Sequence, residues 1–187
     1  MIEINEDSNK RKRIYYYWPL ILILLTLIAL CSGYYISSEV GNFPDEAAHL
    51  GYVLDAAKHG FPDYTNGKIY ATNKLNYLSH PALYYVIASL FDVIASQAHN
   101  YSFKIIRLVN LCFSAISIAF IYKSLMLLNI KKNNALFALF ILLSLPMFII
   151  LSISINNDIL MILGCSIFYY SLTLVYFSDD NNNDYLP

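Results

Sequence analysis

The chain has 187 residues, of which 58% are hydrophobic and only 13% are charged. Soluble domains average about 25% charged residues, so the composition excludes an ordinary soluble domain and indicates an integral membrane protein. A formal net charge of −1 argues against nucleic acid as a partner, because nucleic-acid binding needs a clustered basic surface. The three cysteines all fall within apolar stretches, where we interpret them as packing residues.

Four apolar stretches are long enough to cross a bilayer as helices, which takes about 20 residues. They are residues 14–35, 105–126, 135–153 and 159–177. The basic cluster Lys10-Arg11-Lys12-Arg13 precedes the first stretch, so the positive-inside rule predicts that residues 1–13 are cytoplasmic. The first stretch is too long for the apolar region of a signal peptide, so we expect it to be retained.

A fifth apolar stretch, residues 81–95, decides the topology. It is short and carries Asp92. If it crossed the membrane, Lys131 and Lys132 would lie outside, against the charge rule. If it lies in the interface as an amphipathic helix, both lysines are predicted to lie in the cytoplasm, as is Lys123. We adopt this second interpretation.

The sequence therefore predicts an all-α membrane protein with about four transmembrane helices. Two interfacial amphipathic helices are expected in a first outer loop, residues 36–104, and a polar cytoplasmic tail at residues 178–187. The abundance of Ile, Asn, Lys and Tyr suggests an AT-rich genome, and with it a bacterial inner membrane.

The first helix of the outer loop should begin at Asn42-Phe43-Pro44-Asp45-Glu46. Proline suits the first helical turn, acidic residues there complement the helix dipole, and Gly60 is a suitable stop. The apolar residues recur at helical spacing and predict one buried face. They are Leu50, Val53, Leu54 and Ala57.

Asp45 and Glu46 precede His49 by four and three residues, so both carboxylates can lie beside the imidazole on a helix. One interpretation is that the carboxylates only stabilise the helix N-terminus. The other is a reaction site at the lipid–water boundary. A divalent metal is a further possibility, because Glu-x-x-His supplies two ligands, and a complete site would then also need His80 or His99.

Three further positions each allow a structural and a functional interpretation. His80, before Pro81, is either a cap or interface residue, or part of the site. Arg107 lies one turn inside the second span, where it either extends to the headgroups or binds a lipid phosphate. Asn156 and Asn157 suit the start of the fourth span as capping residues, and Asp158 suits its first turn.

Together these residues resemble the N-terminal part of GT-C superfamily glycosyltransferases. These polytopic enzymes include protein O-mannosyltransferases and lipid A aminoarabinose transferases. The resemblance covers residues 18–177 and rests on the order and spacing of its elements. These are Pro44-Asp45-Glu46-Ala47-Ala48-His49, His80-Pro81-Ala82-Leu83-Tyr84-Tyr85, Arg107 and Asn157-Asp158. Ala47 and Ala82 stand where bacterial members often have proline, which weakens the subfamily assignment more than the superfamily assignment.

The resemblance implies an inverting transfer of a sugar from a polyprenyl-phosphate donor, on the outer face, to a lipid, glycan or protein acceptor. It implies that Asp45 is the general base and that Glu46 assists in binding or orientation. Metal dependence varies in the superfamily, and we expect no metal or other cofactor here. The residues expected to bind substrate are His49, His80, Tyr84, Arg107, Asn157 and Asp158.

Members of the superfamily usually have more than four spans, so we expect this chain to be the N-terminal part of a longer enzyme. Two other functions are compatible with the sequence. One is a non-enzymatic handler of lipid-linked glycans, such as a flippase or polymerase component, and the other is an accessory membrane protein.

Overall fold

The computed structural model describes residues 3–60, 80–96 and 102–178, which form seven helices and no strand. The helices are α1 (Glu3–Ser37), α2 (Glu46–His59), α3 (Leu83–Ser96), α4 (Ser102–Leu127), α5 (Lys132–Leu143), α6 (Pro146–Ile153) and α7 (Asp158–Ser178). The predicted all-α membrane class is confirmed. His99 and residues 179–187 lie outside the described residues.

Three helices are long and apolar enough to cross a membrane. The candidate spans are Tyr17–Ser37 in α1, Phe103–Leu127 in α4 and Asp158–Tyr176 in α7. Each begins and ends within three residues of a predicted span. Helix α1 itself starts at Glu3, so it continues through the stretch that the sequence suggests is a separate basic N-terminus.

The prediction of one continuous helix over residues 135–153 is wrong, because α5 and α6 are bent by 73° with respect to each other. Leu145, between them, is extended with ψ 111°. A residue before proline is driven out of the helical region, and Pro146 has no N–H to continue the helical ladder. Proline instead opens α6 at its first turn, a position that it suits.

The bent pair still runs the full length of α4. Lys131 follows the C-terminal end of α4, whereas Ser154 and Ile155, after α6, bond to Asn110 in the N-terminal third of α4 and to Glu46. The pair therefore follows α4 from one end towards the other, as a broken span would, and with it the described residues hold up to four candidate spans. The end of the bundle where Ser38, Arg107 and Ile155 meet is called the outer end below.

The buried side chains form two clusters. The first packs α1, α4, α5 and α6 along the bundle and includes Ile23, Leu27, Ile118, Leu139 and Ile153. The second lies at the outer end and packs α2 and α3 on the starts of α4 and α7. It includes Tyr52, Tyr85, Ile106, Ile155 and Ile159.

Helix α3 has 14 residues and is about 21 Å long, too short to cross a bilayer. Its packed side carries Tyr84, Tyr85 and Asp92, whereas its opposite side exposes apolar side chains. These are Leu83, Leu90, Phe91, Val93 and Ile94. A helix with its polar groups toward the protein and its apolar groups outward is suited to contact lipid.

Candidate functional site

Helix α2 begins at Glu46, because Asp45 adopts a left-handed conformation with φ 57° and ψ 1°. Pro44 therefore precedes the helix and does not occupy its first turn, contrary to the prediction. The predicted stop at Gly60 is confirmed. Gly60 has φ 83°, a conformation that favours glycine, and donates its N–H to the carbonyl of Ala56 at 2.9 Å.

The apolar face predicted for α2 is only partly correct. Val53 is fully buried, but Leu54 is 39% exposed. The buried side also carries Glu46, His49 and Asp55. Because α2 packs this mixed face against α3 and α4, apolar spacing alone does not identify it.

Glu46 and Arg107 form a fully buried ion pair. Arg107 donates its Nε–H to Oε1 of Glu46 at 2.8 Å and an Nη2–H to Oε2 at 2.7 Å. Such a bidentate arrangement is the strongest geometry for an arginine–carboxylate pair. The carboxylate also accepts the backbone N–H of Gly41 at 3.2 Å and of Ile155 at 3.1 Å.

The other groups in contact with the Arg107 side chain are also protein groups. Its guanidinium donates to the carbonyl oxygens of Ser38 at 2.7 Å and Glu39 at 3.0 Å. The rings of Phe43 and Phe103 lie 5.1 and 5.2 Å from its central carbon. The side chain has no exposed surface, so a lipid phosphate would reach it only if the ion pair opened.

Asp45 differs from the adjacent Glu46 in both position and contacts. It is exposed, and its side chain makes no capping hydrogen bond with α2. Its backbone carbonyl, in contrast, accepts the N–H groups of Ala48 at 2.9 Å and His49 at 3.1 Å. A side-chain cap therefore does not explain Asp45, and its carboxylate lies at the surface of the outer end.

His49, His80 and Tyr85 form a polar cluster beside this turn. The Nδ1 atom of His49 lies 2.7 Å from the Tyr85 hydroxyl, and Nδ1 of His80 lies 3.2 Å from the same oxygen. A hydroxyl has one proton, so it donates to at most one imidazole and accepts from the other. The Tyr52 ring stacks on Tyr85 with the centroids 3.8 Å apart and fixes its orientation.

The pKa of His49 is lowered from its ordinary value of 6.5. Burial is the main cause, because it disfavours the charged imidazolium, and His80 acts in the same direction. The carboxylates of Asp158, Asp45 and Glu46 oppose the shift without cancelling it. His49 is therefore mainly neutral at pH 7.

Asp158 and Asp45 come from elements more than a hundred residues apart in the chain, yet both act on His49. Asp158 is exposed at the first turn of α7. Asn157, just before it, is partly buried, and it is Asn156 whose side chain accepts the N–H of Ile159 at 3.1 Å and caps α7. The outer end thus carries two exposed carboxylates that both lie close enough to His49 to act on it.

Tyr84 lies in the core and not at this surface. It is 2% exposed and donates its O–H to Oδ1 of Asn110 at 3.0 Å. Burial raises the pKa of Tyr84 well above its ordinary value. Among the eight predicted site residues, Glu46, Tyr84 and Arg107 are thus in the core, and His49 is buried below the outer surface. The other four, Asp45, His80, Asn157 and Asp158, are at least partly exposed.

Sequence reasoning missed two residues of this arrangement, Tyr85 and Asn110. Tyr85 belongs to the His80–Tyr85 motif, but nothing in the pattern distinguishes it from Tyr84. Asn110 had a usable signal, because it is a polar side chain three residues after Arg107 in an apolar span. Polar residues at such positions are costly to bury and mark candidate sites.

The metal interpretation needs a carboxylate that is available to a cation. Glu46 is fully engaged with Arg107 and two backbone N–H groups. Within residues 3–60, 80–96 and 102–178, no group of three or more His, Cys, Asp or Glu side chains is arranged to hold a metal ion.

Residues 79–186 match the dolichyl-phosphate-mannose-protein mannosyltransferase family. The match covers more than half of the chain. The chain belongs to this family. The matched region includes His80, Arg107, Asn110 and the α6–α7 turn, whereas Asp45 and Glu46 precede it. No curated protein and no solved structure matches the chain significantly.

Proposed function

We propose that the chain carries the base-containing part of a membrane glycosyltransferase. In this proposal the enzyme transfers a sugar from a polyprenyl-phosphate donor to an acceptor on the extracytoplasmic face, with Asp45 as the general base. The observation that carries the proposal is the contrast between adjacent carboxylates: Glu46 is locked in the core, and Asp45 is turned out beside the histidine cluster. Membership of the mannosyltransferase family supports the reaction class.

The reaction needs one base that takes the proton from the hydroxyl group of the acceptor substrate. A hydroxyl is a weak nucleophile, and it loses its proton as its oxygen attacks the anomeric carbon of the sugar. The bond to the phosphate oxygen breaks at the same time, so the anomeric centre inverts and the polyprenyl phosphate leaves as an anion. Asp45, exposed and uninvolved in capping, has the freedom to take that proton.

The other residues divide into two roles. We assign Glu46, Tyr84 and Arg107 to positioning, because their polar groups bond to the protein and their side chains are buried. His80, Asn157 and Asp158 lie at the outer surface and His49 just below it, and all four are proposed to contact substrate. Imidazole N–H groups are hydrogen-bond donors for phosphate or sugar oxygens, and the Asp158 carboxylate is an acceptor for sugar hydroxyls.

The test compares Asp45→Asn with Glu39→Gln in membranes supplied with a polyprenyl-phosphate-mannose donor and a hydroxyl acceptor. Asn keeps the shape of Asp45 but cannot accept the proton, so we expect transfer to fall by about 10²–10⁴-fold with donor binding retained. Glu39 is a matched control, since it is an exposed carboxylate at the same end and uses only its backbone carbonyl to hold Arg107. Transfer that survives in Asp45→Asn, or that is absent from the unaltered protein, would refute the proposal.

A further inference from the structure

Asn110 is fully buried in α4, one turn after Arg107, and its amide bonds to other segments of the chain. Its Oδ1 accepts the O–H of Tyr84 at 3.0 Å, and its Nδ2 donates to the carbonyl of Ser154 at 2.5 Å. A longer contact of 3.5 Å reaches the carbonyl of Asn156. An amide is expensive to bury unless it is paired, and this one is paired with α3 and with the α6–α7 turn.

The α6–α7 turn is therefore anchored to α4 at two consecutive residues. Asn110 holds the carbonyl of Ser154, and Arg107 holds the N–H of Ile155 through Glu46. The two anchoring side chains are three residues apart and lie on one face of α4. Helix α7 starts immediately after the turn, with Asp158 as its first residue.

We infer that Asn110 is a positioning residue of the transferase reaction. It fixes the α6–α7 turn so that the exposed Asp158 carboxylate lies near His49, where sugar hydroxyls can donate to it. The expected effect of Asn110 on sugar transfer rests on the proposed function. The expected effect of Asn110 on the position of the turn rests on its own contacts alone.

A thiol reporter tests the position without using activity. Cys31, Cys112 and Cys165 are replaced by alanine, and Ile155→Cys is introduced, since Ile155 is fully buried and its N–H to Glu46 is retained. Adding Asn110→Leu should raise the rate of thiol labelling about tenfold or more, because both buried hydrogen bonds are lost. Ser117→Ala is the control, as Ser117 is buried in α4 but bonds only to Phe113 of its own helix. A labelling rate equal to that of the control overturns the inference.

Tyr84→Phe provides a second variant should Asn110→Leu fail to fold. It retains the amide and removes one of its partners, so the labelling rate should lie between those of Asn110→Leu and Ser117→Ala. If Tyr84→Phe labels no faster than Ser117→Ala, the inference fails.

Sugar transfer provides the functional half of the test. In the chain with its native cysteines and Ile155, Asn110→Leu should raise the KM for the donor and lower the transfer rate, by about tenfold in combination. Asn110→Asp should recover part of the loss, because a protonated carboxyl also offers one donor and one acceptor. Normal transfer by a variant with a loosened turn overturns the positioning role. Undiminished transfer by Asp45→Asn instead refutes the proposed function and leaves the labelling result standing.

Discussion

The carboxylate of Glu46 and the guanidinium of Arg107 are both fully buried, and backbone groups around them complete their hydrogen bonds. Two carbonyls before α2 accept from Arg107, and two N–H groups donate to Glu46. A buried pair of this kind contributes little net stability relative to apolar residues, but its halves are strongly dependent on each other. What the pair determines is where the ends of α1, α2 and α6 lie relative to α4.

Glu46→Gln should lower the stability of the protein by about 3–5 kcal/mol, because it leaves the Arg107 cation buried without a counter-charge. Adding Arg107→Met removes that charge, so the double variant should recover a large part of the loss. Unfolding in detergent micelles, followed by circular dichroism, measures both. Lys123→Met, an exposed change on α4, should have little effect, and a double variant no more stable than Glu46→Gln would contradict the ion pair.

His49 should make stability depend on pH. Its pKa is below 6.5 in the folded protein and near 6.5 in the unfolded chain. The unfolded chain therefore binds the proton first as the pH falls, and stability decreases below about pH 6.5. His49→Asn, which retains a hydrogen-bonding group near Nδ1, should show a smaller decrease between pH 7.5 and about pH 5.5. An unchanged pH dependence of the melting temperature in that variant would refute this role.

At the scale of elements, the lengths of the apolar stretches predicted the bounds of three spans closely. The break in the remaining span and the start of α2 depend instead on local backbone conformation. Leu145 and Pro146 broke the third predicted span, and the left-handed Asp45 left Pro44 before α2 instead of in its first turn. Both signals were present in the sequence, but a proline in an apolar run can either kink a helix or begin one. The pairing of Glu46 with Arg107 joins residues 61 positions apart, so no local pattern could reveal it.

Helix α3 should contact lipid through its outward apolar side. The chain has one tryptophan, Trp18, so Trp18→Phe with Leu90→Trp gives a single fluorescent probe at a site that is 61% exposed. Lipids brominated on their acyl chains should quench this probe. Lys58→Trp, on the exposed last turn of α2, serves as the comparison. Emission typical of water at position 90, without quenching, would exclude lipid contact.

At the scale of the whole molecule, the outer end of the bundle and the α4–α5 connection lie at opposite ends of α4. The ends of α1 and α6 meet the start of α4, so α1 and the α5–α6 pair run in one direction and α4 in the other. The chain just before α7 meets Asn110 in the N-terminal third of α4, and further along both helices the rings of Phe120 and Tyr170 lie 5.3 Å apart, so α7 runs parallel to α4. With four spans, the positive-inside rule predicts that the outer end faces away from the cytoplasm.

Single cysteines in a chain without its native thiols should report this arrangement. Asn42→Cys, at the outer end, should react with a membrane-impermeant reagent added outside intact cells. Asn134→Cys, at the start of α5, should react only after the cells are opened. Both positions are exposed, so a difference in labelling reports sidedness and not burial. Labelling of both from the same side would rule out the four-span arrangement.

The left-handed geometry of Asp45 has a consequence for how variation at this position is interpreted. Glycine and asparagine adopt positive φ readily, whereas most other residues resist it. A library at position 45 would thus sort amino acids by two unrelated criteria, backbone tolerance and acidity. Glutamate satisfies the second criterion but not the first, and glycine the first but not the second. Only asparagine changes the acidity while preserving both the conformation and the outline of the native residue. Loss of activity in an alanine or glutamate variant would therefore not show whether the backbone conformation or the carboxylate is the cause.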